Sequence, residues 1–139
     1  MSDPEFSTPE AAEAAFYQAF EAADVPAMLR VWDDAGTVTC IHPMGARIEG
    51  RESVGESWRQ ILGPGPRLKV RITRVRATLA EGIAVHVVDE VVTIVEDGRE
   101  AIIQSTNVYR RTARGGWRMV LHHASPAPTP RREPAPVFH

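Results

Sequence analysis

Apolar positions along this chain recur first at helical spacing and later in alternation, and the change falls near residue 66. Ala12, Phe16, Ala19, Phe20 and Ala23 form one stripe, which predicts an amphipathic helix. Thr8-Pro9-Glu10 marks its start: Thr8 can cap free N–H groups, Pro9 suits the first turn, and Glu10 complements the positive helix end. Asp24 reads as a second cap, and Val25, Met28, Leu29 and Trp32 make a short second helix. Thr37 to His42 alternates like a strand, with Val38, Cys40 and His42 on one face, and Pro43-Met44-Gly45 breaks it. After Gly50, the spacing of Val54, Trp58, Ile61 and Leu62 predicts a third helix, which Gly63-Pro64-Gly65-Pro66 ends.

The remainder reads as strands. Residues 68–79 form a long one whose apolar parity shifts between Ile72 and Val75, the mark of a bulge or strong bend. Residues 83–96 and 100–112 flank Asp97-Gly98, a two-residue hairpin signal. A turn at Arg114-Gly115-Gly116 leads into a last strand, 117–124. Helices segregated from antiparallel strands mean an α+β fold: three helices, a short strand among them, and a four-stranded antiparallel meander. Residues 1–125 are expected to form one domain.

A tight turn at Asp97-Gly98 pairs Glu96 with Arg99, and hence Glu90 with Ser105, Val88 with Asn107 and His86 with Tyr109. One sheet face then carries His86, Val88, Glu90, Val92 and Ile94 with Ser105, Asn107 and Tyr109. The other carries Val85, Val87, Val91 and Val95 and is also apolar. The helices can cover one face only. The second face is expected to meet another copy of the chain in a homodimer, or else to lie under the C-terminal tail. In the last strand, a four-residue turn sets Asn107 opposite His122. A five-residue turn sets it opposite Leu121 and turns His123 inward.

Composition narrows the function. The net charge is −2 with scattered Lys and Arg, which speaks against nucleic-acid binding. One cysteine excludes an intrachain disulfide. Met1 to Pro9 is polar and acidic, unlike a secretory signal, and no stretch suits a bilayer, so a cytoplasmic protein is expected. Residues 126–139 hold five of the eleven prolines and read as a disordered or polyproline II tail.

Several residues on the inferred inner face could carry chemistry. His42 titrates near neutrality and suits a general base or acid, or else a buried imidazole bonded to backbone. Glu90, among apolar residues, needs a partner or a raised pKa, and could orient His42 or His123, move a proton itself, or form a structural ion pair. Asn107 could polarise a substrate carbonyl. Trp32 and Trp58 are candidate pocket walls as well as core residues, and Tyr109 offers a hydroxyl. Cys40, His42, His86 and His123 raise a metal site, but the spacing lacks a zinc motif, and a buried thiol with bonded histidines is the reading kept. Gly63-Pro64-Gly65-Pro66 has prolines where a phosphate loop needs N–H donors. No cofactor is therefore expected.

The segments Phe16 to Asp24, Val31-Trp32, Cys40-Ile41-His42-Pro43, Gly50-Arg51, Thr106-Asn107-Val108-Tyr109, Gly116-Trp117-Arg118 and His122-His123-Ala124-Ser125 together resemble the nuclear-transport-factor-2-like superfamily, in its SnoaL-like, ketosteroid-isomerase-like branch. The resemblance covers roughly residues 8–125. It implies a bent sheet wrapped into a cone by helices, often dimeric, around a pocket. Against ketosteroid isomerase, the general-base position falls on His42, the protonated oxyanion-hole aspartate on Asn107, and the oxyanion-hole tyrosine on Phe16. Those replacements speak against steroid isomerisation. The same alignment turns His123 rather than His122 into the pocket. The implied function is binding of a small apolar molecule with a polar acceptor group, with cofactor-free proton transfer as isomerase, cyclase or dehydratase. The alternative is a non-catalytic dimeric binding or association module. His42, Glu90, Asn107 and His123 are the catalytic candidates. Phe16, Trp32, Cys40, Trp58, His86 and Tyr109 are the substrate-binding ones.

Overall fold

The Thr8 side chain accepts the Ala11 N–H at 3.0 Å and Pro9 fills the first turn, so α1 (Pro9–Ala22) starts at the expected cap. Asp24 caps the next helix, α2 (Val25–Val31), by accepting the Ala27 N–H at 3.0 Å. Gly50, at φ +92°, precedes α3 (Arg51–Leu62). In a computed structural model of the chain, which describes residues 5–34 and 36–128, these helices pack on one face of a curved, unclosed sheet.

The sheet has six strands: β1 (Thr39–Ile41), β2 (Arg47–Glu49), β3 (Leu68–Ala80), β4 (Ile83–Ile94), β5 (Glu100–Arg111) and β6 (Trp117–Pro126). Their order is β2-β1-β6-β5-β4-β3. The expected meander is β3 to β6. Two strands are added at its end: β1 runs parallel to β6, and β2 pairs antiparallel with β1. The sheet is therefore mixed rather than purely antiparallel. At three residues, with only Ile48 half-buried, β2 is too short to show alternation in the sequence. The parallel pairing sets Cys40 beside His122 and so brings the His42 strand end to the middle of the inner face.

The β3 bulge lies where apolar parity changes. Pairing with β4 slips between Thr73 and Arg76, and Arg74 takes a left-handed φ of +53°.

The β4–β5 turn differs from expectation. Ile94, not Glu96, pairs with Arg99: the Ile94 N–H donates to the Arg99 carbonyl at 2.9 Å. Residues 95–98 form a four-residue loop. Asp97 stabilises it by accepting from the Arg99 N–H at 2.9 Å and from Arg99 Nε at 2.8 Å. The pairing is thus His86 with Asn107, Val88 with Ser105 and Glu90 with Ile103. A slip of two residues changes partners but leaves every side chain on its face, because the strand period is two.

The β5–β6 turn has the longer form, with Arg111 opposite Trp117. However, Tyr109 pairs with Met119 while Val108 pairs with Leu121, so Val120 is one extra residue in β6. This bulge reverses parity. Trp117 and Met119 face inward before it; His122 and Ala124 face inward after it. His123 is exposed on the opposite surface, so its expected pocket position is corrected in favour of His122.

Phe16, Met28, Val31, Trp32, Val54 and Trp58 lie between helices and sheet, each essentially inaccessible to solvent. The outer sheet face stays open in the single chain, with Val87 46% and Ile102 48% exposed. The last strand reaches Pro126, and the Ala127 N–H donates to the Ile102 carbonyl at 2.9 Å, so the first residues of the expected tail continue the sheet. The rest of that tail, 129–139, lies outside the described residues.

Candidate functional site

Glu13 and Tyr17 are four residues apart on α1 and so share one helix face, turned toward β4 and β5. The Tyr17 hydroxyl donates to Glu90 Oε2 at 2.6 Å and accepts from Asn107 Nδ2 at 2.9 Å. Asn107 Oδ1 accepts from His122 Nδ1 at 2.6 Å. An amide oxygen can only accept, so His122 carries its proton on Nδ1. Four elements, α1, β4, β5 and β6, thus contribute one buried chain of hydrogen bonds running from His122 to Glu90.

A second buried cluster lies nearby. Glu13 Oε2 is 2.8 Å from His86 Nδ1 and accepts the Tyr109 hydroxyl at 3.2 Å, and His86 Nε2 lies 3.4 Å from the more exposed Glu10. It fastens α1 to β4 and β5.

His42 stands at the end of β1, where the Gly45 N–H donates to its carbonyl at 2.8 Å across a tight turn. Met44 occupies that turn with φ +62° and its side chain 91% exposed. The Ser57 hydroxyl donates its only proton to the Val54 carbonyl at 2.6 Å. His42 Nε2, 2.9 Å from Ser57 Oγ, must therefore be the donor in that contact. Trp58 meets the His42 ring edge to face at 4.7 Å.

His42, Glu90 and His122 line one cavity of about 210 Å³. Its other walls are Phe20, Pro43, Trp58, Ile61, Val92, Ala101 and Ile103. Such walls disfavour charge. Burial pushes the Glu90 carboxyl up, opposed by the bond from Tyr17. Burial lowers His42, and burial with repulsion from His42 and His123 brings His122 down to about 3. Burial also pushes the Tyr17 hydroxyl well up, so it keeps its proton. At neutral pH the cavity presents two neutral imidazoles and a carboxyl whose pKa has moved toward neutrality. That is a set able to accept and pass on protons.

Of the expected site residues, His42, Glu90 and Trp58 line this cavity. Asn107 does not. It is fully buried, and both ends of its amide bind Tyr17 and His122. Phe16 packs behind the cavity, its ring 5.0 Å from His122 and 5.5 Å from Trp58. Trp32 and Cys40 belong to the core; Trp32 bridges to Met119, and Cys40 Sγ lies 3.6 Å from His42 Nε2 with its thiol pushed up to about 12 by burial. His86 and Tyr109 belong to the Glu13 cluster. Among the described residues no group of three or more His, Cys, Asp or Glu is arranged to hold a metal ion.

Tyr17, Glu13 and Ser57 were not anticipated as partners. Tyr17 follows Phe16, the position to which the ketosteroid-isomerase resemblance assigned a tyrosine. The i,i+4 pair Glu13–Tyr17 beside an apolar stripe was the available signal.

Comparison with known proteins bears on the identity of this arrangement. No curated protein matches the chain. Among solved structures, a provisionally named calcium/calmodulin-dependent protein kinase type II association domain from Thiobacillus denitrificans is 43% identical. The match covers 91% of this chain and 100% of that one, with a TM-score of 0.83. A provisionally named dehydratase of the NTF2-like family from Streptomyces avermitilis is 28% identical, covers 86% and 94%, and has a TM-score of 0.78. A provisionally named ketosteroid isomerase from Parabacteroides distasonis shares the fold at 22% identity and a TM-score of 0.71, covering 86% and 87%. The SnoaL-like domain model matches residues 10–130, and the chain belongs to that family, with the NTF2-like fold.

Proposed function

We propose that the chain binds a small, largely apolar molecule in the His42–Glu90–His122 cavity and performs cofactor-free proton transfer on it. The observation that carries this reading is the convergence of three titratable side chains on one apolar cavity, each tied to a protein partner that fixes its orientation. Glu90 is the proton acceptor in this scheme. Burial has raised its basicity, and Tyr17 holds it in place. His42 and His122 bind the polar group of the ligand. Isomerisation, cyclisation and dehydration all require such a transfer. Many proteins of this fold catalyse nothing, so the residues and not the fold support the reading.

The test is solvent deuterium exchange into small carbon acids. Purified protein in D2O should catalyse exchange at activated C–H positions, and Glu90→Gln should abolish it while the fold persists. Exchange rates equal to the protein-free rate, for compounds shown to bind, would leave the cavity as a binding site without catalysis.

A second reading is favoured by the 43% identity to the Thiobacillus association domain. On that reading the chain is an association module, with Val87, Ile102 and their half-buried neighbours on the outer sheet face as its contact. A homodimer through this face is compatible with the first reading, because the cavity opens on the other side of the sheet.

A further inference from the structure

The polarity of the ligand follows from where the protons already are. Taking the cavity as a ligand site, three hydrogen bonds of fixed direction decide what it offers. Tyr17 gives its proton to Glu90, Asn107 Nδ2 donates to Tyr17, and Asn107 Oδ1 is left to accept from His122 Nδ1. His122 Nε2 then carries a lone pair, and it has no protein partner among the described residues. His42 shows the same bias. Its Nε2–H is directed to Ser57, whose own proton goes to Val54, so Nδ1 is an acceptor, with the Cys40 sulfur at 3.9 Å as its hydrogen-bond partner among the described residues. Glu90 accepts as well. His122, His42 and Glu90 thus face the cavity as acceptors. The Trp58 indole N–H, buried without a partner among the described residues, is the donor a hydroxyl oxygen could also meet. Asn107, the expected donor to a carbonyl, lies bonded to Tyr17 and His122 behind them.

We propose that the ligand is a neutral hydroxyl compound, about one aromatic ring in size, which donates a hydrogen bond to His122 Nε2. This reverses the polarity expected from sequence, which called for a ligand with an acceptor group. Size follows from the cavity: an apolar cavity of about 150 Å³ holds benzene, and about 210 Å³ leaves room for a substituent. Phe20 and Trp58 supply aromatic walls for the ring. Neutrality follows from the same walls. An ammonium group would enter among Ile61, Val92, Ala101 and Ile103, where the one carboxylate among the described wall residues, Glu90, is already bonded to Tyr17.

The experiment uses the full chain and three matched probes followed by fluorine NMR titration: 4-fluorophenol, 4-fluoroanisole and 4-fluoroacetophenone. The phenol should bind about tenfold more tightly than the anisole, which lacks the proton, and more tightly than the ketone. His122→Asn keeps a donor for Asn107 Oδ1 but removes Nε2, and should erase the preference. A ketone that binds best would overturn the proposed polarity while leaving the cavity a binding site. A phenol preference that persists in His122→Asn overturns the assignment to His122. No binding by any probe overturns both the proposal and the cavity reading beneath it. If His122→Asn fails to fold, nitrogen-15 shifts of the His122 ring in the unaltered protein decide the matter. Protonation at Nδ1 near neutral pH is the expected result, and protonation at Nε2 overturns the proposal.

Discussion

Tyr17 donates to Glu90 at 2.6 Å although 73 residues separate them in the chain. The bond joins the first helix to the fourth strand and supplies the buried carboxyl with a fixed donor. Removing the hydroxyl leaves Glu90 and Asn107 each short of a partner inside the core. Tyr17→Phe should lower stability by about 3 kcal/mol, within the range for buried groups left unpaired. Urea denaturation measures this. The double variant with Glu90→Gln should cost less than the sum of the two single changes, because the two groups act on one another.

The buried titratable groups bias stability in opposite directions with pH. His122 is held at about 3 against an ordinary 6.5, so the unfolded chain takes up a proton first on acidification. Stability should therefore fall as pH drops from about 6.5 toward 3, as the unfolded chain binds a proton the folded His122 does not. His42, also lowered by burial, adds to the same limb. Glu90 has the reverse sign: its folded value lies above the ordinary 4.5, so its contribution is lost as pH rises through the folded value. Denaturation midpoints across pH 4 to 8 should show an acid limb that flattens in His122→Asn. Glu90→Gln should be the more stable protein at the alkaline end.

His42 is bonded to Ser57 and packed on Trp58 at the cavity wall, one side-chain tie between the end of β1 and α3. His42→Ala should weaken 4-fluorophenol binding about tenfold and leave the oligomeric state unchanged in sedimentation. Loss of the folded state with no separable binding effect would make the residue structural.

Val87 projects from the centre of the outer sheet face, 46% exposed in the single chain. If two copies meet there, Val87→Glu places a buried charge in the contact and should convert the dimer to monomer at micromolar concentration. Light scattering reads the mass directly. An unchanged mass removes this face from the interface.

Much of the fold was legible because local chemistry and pattern agreed. Thr8, Asp24 and Gly50 mark the helix starts, and the parity change near Val75 marks a real bulge. The inner face was legible for a less direct reason. The Asp97-Gly98 turn is two residues longer than its dipeptide suggests, since Asp97 binds Arg99 from within a larger loop. An even slip nevertheless keeps Glu90 and Asn107 inside. The histidine choice was not legible, because a one-residue bulge at Val120 leaves no change in composition. The role of Asn107 was missed for another reason. Its partner Tyr17 sits one position beyond Phe16, and only the folded helix shows which of the two aromatic side chains reaches the polar chain.

The extra residue in β6 makes the interior sensitive to strand register rather than to side-chain identity. Straightening the bulge while the strand keeps its length would exchange which of two adjacent, identical side chains looks inward, with no substitution at either, whereas deleting Val120 itself would leave His122 inside. Aligned histidines in two members of such a lineage therefore need not occupy the same side of the sheet when one keeps the bulge and the other does not.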